Sequence, residues 1–225
     1  PVVKASEKQK QFITDAGHEL KTPITVIATS LKVLEMESGE NKWIDKSLAQ
    51  TEKLRDLVNS LVSLSRMDEE QSPLKMCDFS LSDAVSETVG SFADFAAVNG
   101  HMLTAEIAPE ILYHGDEYAI RQMVSTLLDN AVKYASDGSP IRLTLEKGKK
   151  GPVLRTVNCC EGLTQQQADK LFDRFYRVDQ SRTTRGFGIG LSMARSIAEG
   201  HKGSIKATCC EENKIEFTVS LGKCV

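Results

Sequence analysis

His18 and Glu19 are adjacent, and Thr22 follows one helical turn later. On a helix, at about 100° per residue, His18 lies about 140° to 180° from Ile13, Leu20, Ile27 and Leu34, while Thr22 shares its side. The imidazole is therefore expected in solvent beside a carboxylate, a nucleophile with a base or an orienting group in reach. A plain surface histidine would have the same placement. Further along, Gly186, Gly188 and Gly190 precede or open a helical pattern. Their N–H groups can approach phosphate oxygens with the positive helix end behind them, although a glycine repeat alone also reads as a flexible turn. Asn130 sits inside a helical stretch, where Asn is a poor former, and its amide oxygen suits a magnesium ion that keeps most of its waters. Lys133, three residues on along the same face, could meet a phosphate. Solvated polar side chains are the alternative for both.

These side chains need elements to hold them. The chain has 225 residues, and at roughly 100–200 residues per domain that allows two domains. Charged residues make up 26% and the hydrophobic set 40%, with 15 Gly and 6 Pro, which is the balance of a folded chain. Lys+Arg of 28 against Asp+Glu of 31 leaves no basic excess to release counterions from a nucleic acid, so DNA or RNA binding is not expected. With no run of about 18 apolar residues and no signal-peptide order at the start, a soluble piece is expected. Cys77, Cys159, Cys160, Cys209, Cys210 and Cys224 include two adjacent pairs, which fit neither a disulfide framework nor zinc spacing and read as reduced thiols.

From Lys4 to about Glu37, Ile13, Leu20, Ile27 and Leu34 form one series stepping by seven, and Ile24 and Leu31 form another. The Ser38–Asn41 stretch breaks the pattern, and a second helix runs from Trp43 to about Met67. This antiparallel hairpin leaves an apolar stripe half covered, which a homodimer of four helices would bury. Asp68 to Pro73 reads as a linker, which sets domains at 1–72 and 73–225. The second reads as helix (Leu81–Val98), strand (Met102–Ala108), helix (Glu117–Ala135), strands (Ile141–Lys147 and Pro152–Asn158), a short helix near Gln165–Phe172, a helix (Gly188–Glu199) and strands (Ser204–Cys210 and Lys214–Leu221). The fold class is thus multidomain, an α hairpin followed by an α+β two-layer α/β sandwich. His101, His114 and His201 fall between elements and read as surface loop residues.

Four motifs now point to a family. The run from Phe12 to Pro23, containing His18, Glu19 and Thr22, resembles the phosphoacceptor box of the sensor histidine kinases of bacterial two-component systems. Asp129-Asn130-Ala-Val-Lys133-Tyr134 resembles their asparagine box, Leu171 to Arg177 their phenylalanine box, and Gly186-Phe-Gly188-Ile-Gly190-Leu191 their second glycine box. The motifs occur in the family's order and span nearly the whole chain. The resemblance implies a dimerisation and phosphotransfer hairpin joined to a catalytic domain of the GHKL type that binds Mg-ATP. His18 would take the γ-phosphoryl group, with Glu19 as general base or holding the imidazole tautomer. Thr22 would orient a water for dephosphorylation of a partner. Asn130 would hold magnesium. Lys133, Tyr134, Asn158, Gly162, Arg177, Gly186, Gly188, Gly190 and Leu191 would line the nucleotide site, although for Tyr134 an interfacial tyrosine in the core is the alternative.

The chain departs from the family's pattern in places. In the family's Asp-x-Gly-x-Gly element that reads adenine, Asn158 stands for the Asp and Cys160 for the first Gly, with Gly162 kept; Thr126 stands where the asparagine box usually has its first Asn, and Gly17 where a Ser commonly precedes the histidine. The resemblance further implies passage of the phosphoryl group to an Asp of a response regulator, a homodimer, and a cytoplasmic position, anchored to a membrane only through a portion outside this sequence. A signalling scaffold or phosphatase with a degenerate nucleotide site is the second reading.

Overall fold

The computed structural model describes residues 20–37, 39, 41–67, 74–178, 188–210 and 213–223. The start of the first helix, His18, Glu19, the stretch from Asp68 to Pro73 and Gly186 lie outside the described residues. The chain divides into two compact units, Pro1–Pro73 and Leu74–Val225.

The first unit is a helical hairpin. Helix α1 covers 20–37 and α2 runs Lys42–Met67. Gly39, at φ +71, takes the left-handed turn between them that a side chain would disfavour, and the Asn41 side chain accepts the Trp43 N–H at 2.9 Å, satisfying an orphan donor of α2. Among the described residues of the two apolar series, only those of the second turn inward: Ile24 is buried against Val58, and Leu31 is half-buried. Leu20, Ile27 and Leu34 stay 48%, 50% and 46% exposed in the single chain.

The second unit is the expected two-layer sandwich. Its strands are β1 (Cys77–Ser80), β2 (Leu103–Ile107), β3 (Leu112–Gly115), β4 (Ile141–Gly148), β5 (Gly151–Cys159), β6 (Ser204–Cys210) and β7 (Lys214–Ser220). Its helices are α3 (Leu81–Val98), α4 (Glu117–Tyr134), α5 (Gln165–Lys170) and α6 (Gly190–Gly200). A five-stranded sheet has the order β2-β4-β5-β7-β6, with β2 parallel to β4 and the other pairs antiparallel. β1 and β3 form a separate antiparallel ribbon that the sequence reading did not anticipate.

Burial alternates along β5 and β7, so one sheet face meets the helices and the other meets solvent. On the covered face lie Leu154, Thr156, Asn158, Ile215, Phe217 and Val219. Helix α4 presents Ile120, Met123, Val124, Leu127, Leu128 and Ala131 at three- and four-residue steps, which makes one continuous stripe against them. Burying each such Leu, Ile or Met side chain contributes about 1.5–3 kcal/mol.

Two histidines differ from their expected surface placement. His201 is 2% exposed: its Nδ1 donates to the Ile197 carbonyl at 2.8 Å, and its Nε2 accepts the Asp116 N–H at 2.9 Å. The Asp116 carboxylate in turn accepts the N–H groups of Ala119 and Lys75, so one histidine ties the end of α6 to the start of α4. His101 is also buried, with Nδ1 at 3.1 Å from the Ser139 carbonyl oxygen. These loops close onto the core because their polar atoms find partners far off in sequence. His114 is exposed, as expected, but it lies within strand β3 and not in a loop, where it pairs across the ribbon with Asp78 at 2.6 Å.

Candidate nucleotide site

A cavity of about 230 Å³ opens between α4, α6, the end of β5 and the segment 171–178. Asn130, Lys133, Tyr134, Asn158, Arg177, Gly188, Gly190 and Leu191 all line it, so residues spread over 62 positions of sequence meet in one place. Gly162 is not part of the lining, although its neighbours Glu161 and Leu163 are; at φ +72 it makes the turn leaving β5. Thr22 is exposed on α1 in the other unit.

Each element reaches the cavity for a local reason. Helix α6 begins after Ile189, whose side chain makes no cap, so among the described residues the N–H groups at its positive end have no side-chain acceptor. Gly188, at φ +71, leaves its carbonyl accepting the Phe175 N–H at 2.9 Å, and a Cβ there would stand 2.7 Å from the Tyr176 carbonyl oxygen. Gly190 lies against α4: its Cβ would come within 3.1 Å of the Thr126 methyl. The Thr126 hydroxyl donates back to the Gln122 carbonyl at 2.9 Å, which occupies it inside its own helix. Phe172 fixes the 171–178 segment by an edge-to-face contact with Phe217, ring centroids 6.2 Å apart.

The polar groups divide by how they are engaged. The Asn130 carboxamide has no hydrogen-bond partner among the described residues and faces the cavity, as a ligand for a hydrated cation should. Lys133 is paired with Asp129 at 2.5 Å, an i,i+4 ion pair that holds the ammonium beside the cavity. Tyr134 ends α4 and is 42% exposed, which rules out a core role. Asn158 is 2% exposed, and its amide nitrogen donates to the Cys159 carbonyl at 3.1 Å, so the amide oxygen is the atom left to accept. Burial pushes the Cys160 thiol up, with nearby Cys209 adding to the effect, which favours its protonated form. Uncapped helix end, close glycine backbone and open carboxamide fit a triphosphate with its cation.

Sequence reasoning missed the apolar walls: Leu163, Leu171, Ile215 and Phe217 also line the cavity. The signal for the last two was present, since β7 alternates and these residues fall on its covered face.

The family comparisons agree with this geometry. Residues 8–70 match the model of the His Kinase A (phospho-acceptor) domain, and residues 115–223 match that of the histidine kinase-, DNA gyrase B- and HSP90-like ATPase. The sensor protein DltS of Streptococcus agalactiae is 33% identical over 222 residues, covering 98% of this chain and 56% of that protein. The sensor histidine kinase RppB of Synechocystis is 29% identical, covering 98% of this chain and 50% of that protein. The chain therefore spans about half the length of these curated relatives. Among solved structures, full-length ShkA in complex with AMPPNP superposes with a TM-score of 0.78 at 16% identity, over 96% of this chain and 47% of that one, a likeness of fold. With a phospho-acceptor region and an ATPase-like domain in one chain, and curated sensor kinases matching almost its full length, the chain belongs to the sensor histidine kinases of two-component systems.

Proposed function

We propose that the chain is the kinase core of a sensor protein, transferring the γ-phosphoryl group of ATP to His18 and from there to an Asp of a separate response regulator. Residues 1–72 serve as the dimerisation and phosphotransfer hairpin, and 73–225 as the catalytic domain. The observation that carries this reading is the cavity at the start of α6, lined by Gly188, Gly190 and Asn130, where neither the helix end nor the Asn130 carboxamide has a side-chain partner among the described residues. Leu191 lies beside these glycines in the lining, Gly186 belongs to the same glycine-rich motif in sequence, and Lys133 and Arg177 supply positive charge at the cavity's edge. Asn130 would hold a magnesium ion, which when bound neutralises charge on the phosphate oxygens.

In the transfer, an imidazole nitrogen of His18 forms a bond to the γ-phosphorus as the bond to the ADP oxygen breaks, and Glu19 takes the imidazole proton. Thr22 orients a water for the reverse task, removal of phosphate from the regulator. The exposed Leu20, Ile27 and Leu34 stripe supports a homodimer, since a second copy would bury it. No helix among the described residues is long and apolar enough to cross a membrane. The core is proposed to work in the cytoplasm, with anchoring left to a portion outside this sequence.

Asn158, Cys160 and Thr126 favour a second reading, a phosphatase or docking scaffold with weak nucleotide affinity. Incubating the purified chain with magnesium and labelled ATP separates the two. The kinase reading expects label on the chain and its loss, with loss of ATP affinity, in Asn130→Ala. Failure of the unaltered chain to take label while it still accelerates regulator dephosphorylation supports the second reading.

A further inference from the structure

Three lysines converge on an open groove at the far end of the sheet, lined by Lys150, Lys202, Lys223, Ser204 and Ser220. It lies at the opposite strand ends from the nucleotide cavity, since Gly151 and Asn158 are separated along β5 by roughly 23 Å at 3.3 Å per residue. Each lysine adjoins a glycine, in the pairs Lys150-Gly151, Lys202-Gly203 and Gly222-Lys223. A Cβ on Gly151 would stand 2.4 Å from the Leu221 carbonyl oxygen, and one on Gly203 would stand 2.2 Å from that of Ser220. Glycine alone lets these backbones approach so closely, and the approach is what brings the lysines to one groove.

Among the described residues, the charge there is left uncompensated. Lys150, Lys202 and Lys223 have no ion-pair partner among the described residues. Carboxylates on the adjoining elements are already engaged, Glu146 by Arg155 at 2.8 Å and Glu199 by Arg195 at 2.9 Å. Lys202 is held at φ +56 in the turn that ends α6, a conformation ordinarily filled by Gly or Asn. Ser204 and Ser220 sit directly opposite each other across β6 and β7 on the uncovered face, and neither hydroxyl has a partner among the described residues.

We propose that this groove binds the phosphate group of an anionic ligand. The lysines supply compact positive charge, and the paired serine hydroxyls supply directed donors to the same oxygens. A concave site with hydroxyls between the ammonium groups suits a small tetrahedral anion better than the broad acidic face of a protein.

The test is a titration of the full chain followed through the backbone amide signals of Gly203 and Ser220, with inorganic phosphate in one arm and phosphatidylglycerol vesicles in the other. Saturable shifts are expected, weakened about tenfold or more in K150Q/K202Q/K223Q and weakened by added salt. Response to inorganic phosphate identifies a free phosphate ligand, and a lysine-dependent response to vesicles alone identifies a lipid headgroup. Each of these supports the site. Lys202→Gly provides a check that does not depend on the triple variant folding, because it relaxes the backbone while removing a charge. It should raise Tm and weaken phosphate binding together. Affinity in both arms that is independent of the three lysines would overturn the proposal.

Discussion

In the sandwich, α4 buries an unbroken stripe from Ile120 to Ala131 against the sheet, whereas the hairpin, among its described residues, buries Ile24 against Val58 and leaves Leu20, Ile27 and Leu34 half in solvent. The first has a core of its own. The second has an apolar surface in search of a partner. Stability in the catalytic unit therefore resides within one chain, whereas the proposed homodimer would make stability in the hairpin depend on protomer concentration. A division of this kind suits a protein in which one part must hold a nucleotide rigidly and another must present an acceptor to different partners.

The largest effect expected from this contrast is in the two cores. Leu128→Ala should cost about 2–5 kcal/mol of unfolding free energy whatever the protein concentration, because its cavity forms inside one unit. Ile27→Ala should instead shift the monomer–dimer equilibrium measured by light scattering, with a small change in the denaturant midpoint of the catalytic unit. If both substitutions proved independent of concentration, the contrast between the units would fail.

A smaller effect sharpens the nucleotide side of the comparison. Asn158→Asp should tighten ATP binding by about 1–2 kcal/mol, roughly five- to thirty-fold, since a charged acceptor makes a hydrogen bond about twice as strong as a neutral one. Calorimetry with ATP and GTP would measure it, and the preference for ATP should rise as well. Unchanged affinity and selectivity would show that Asn158 does not read the base.

The smallest effect concerns a neighbour on the same strand face. Thr156 is fully buried and its hydroxyl has no hydrogen-bond partner among the described residues. Thr156→Val keeps the shape and removes that orphan donor, so unfolding free energy should rise by about 1 kcal/mol. A loss of stability would show that the hydroxyl is satisfied, by water for example.

Much of this arrangement is legible in the residues. The α4 stripe, the β5 and β7 alternation and the glycine cluster carry their periods openly, and the helix and strand limits read from them fall within two residues of those observed. The β1–β3 ribbon escaped because each strand has four residues, Cys-Asp-Phe-Ser and Leu-Tyr-His-Gly, too short to show a period. His201 was misread for a different reason. Its neighbours Gly200, Lys202 and Gly203 look like an exposed turn, while its burial comes from Asp116 and Tyr113, more than eighty residues away. The three lysines of the groove were hidden likewise, because only the β5-β7-β6 order brings Lys150 beside Lys202 and Lys223.

The central claim, that nucleotide binding and phosphate acceptance belong to different units of one chain, is tested most directly by His18→Gln measured twice. Calorimetry with Mg-ATP should give the affinity of the unaltered chain, and labelling should be abolished, the label on the unaltered chain being acid-labile and alkali-stable as a phosphoramidate is. Retained labelling of His18→Gln, or loss of ATP affinity together with the label, would contradict the account.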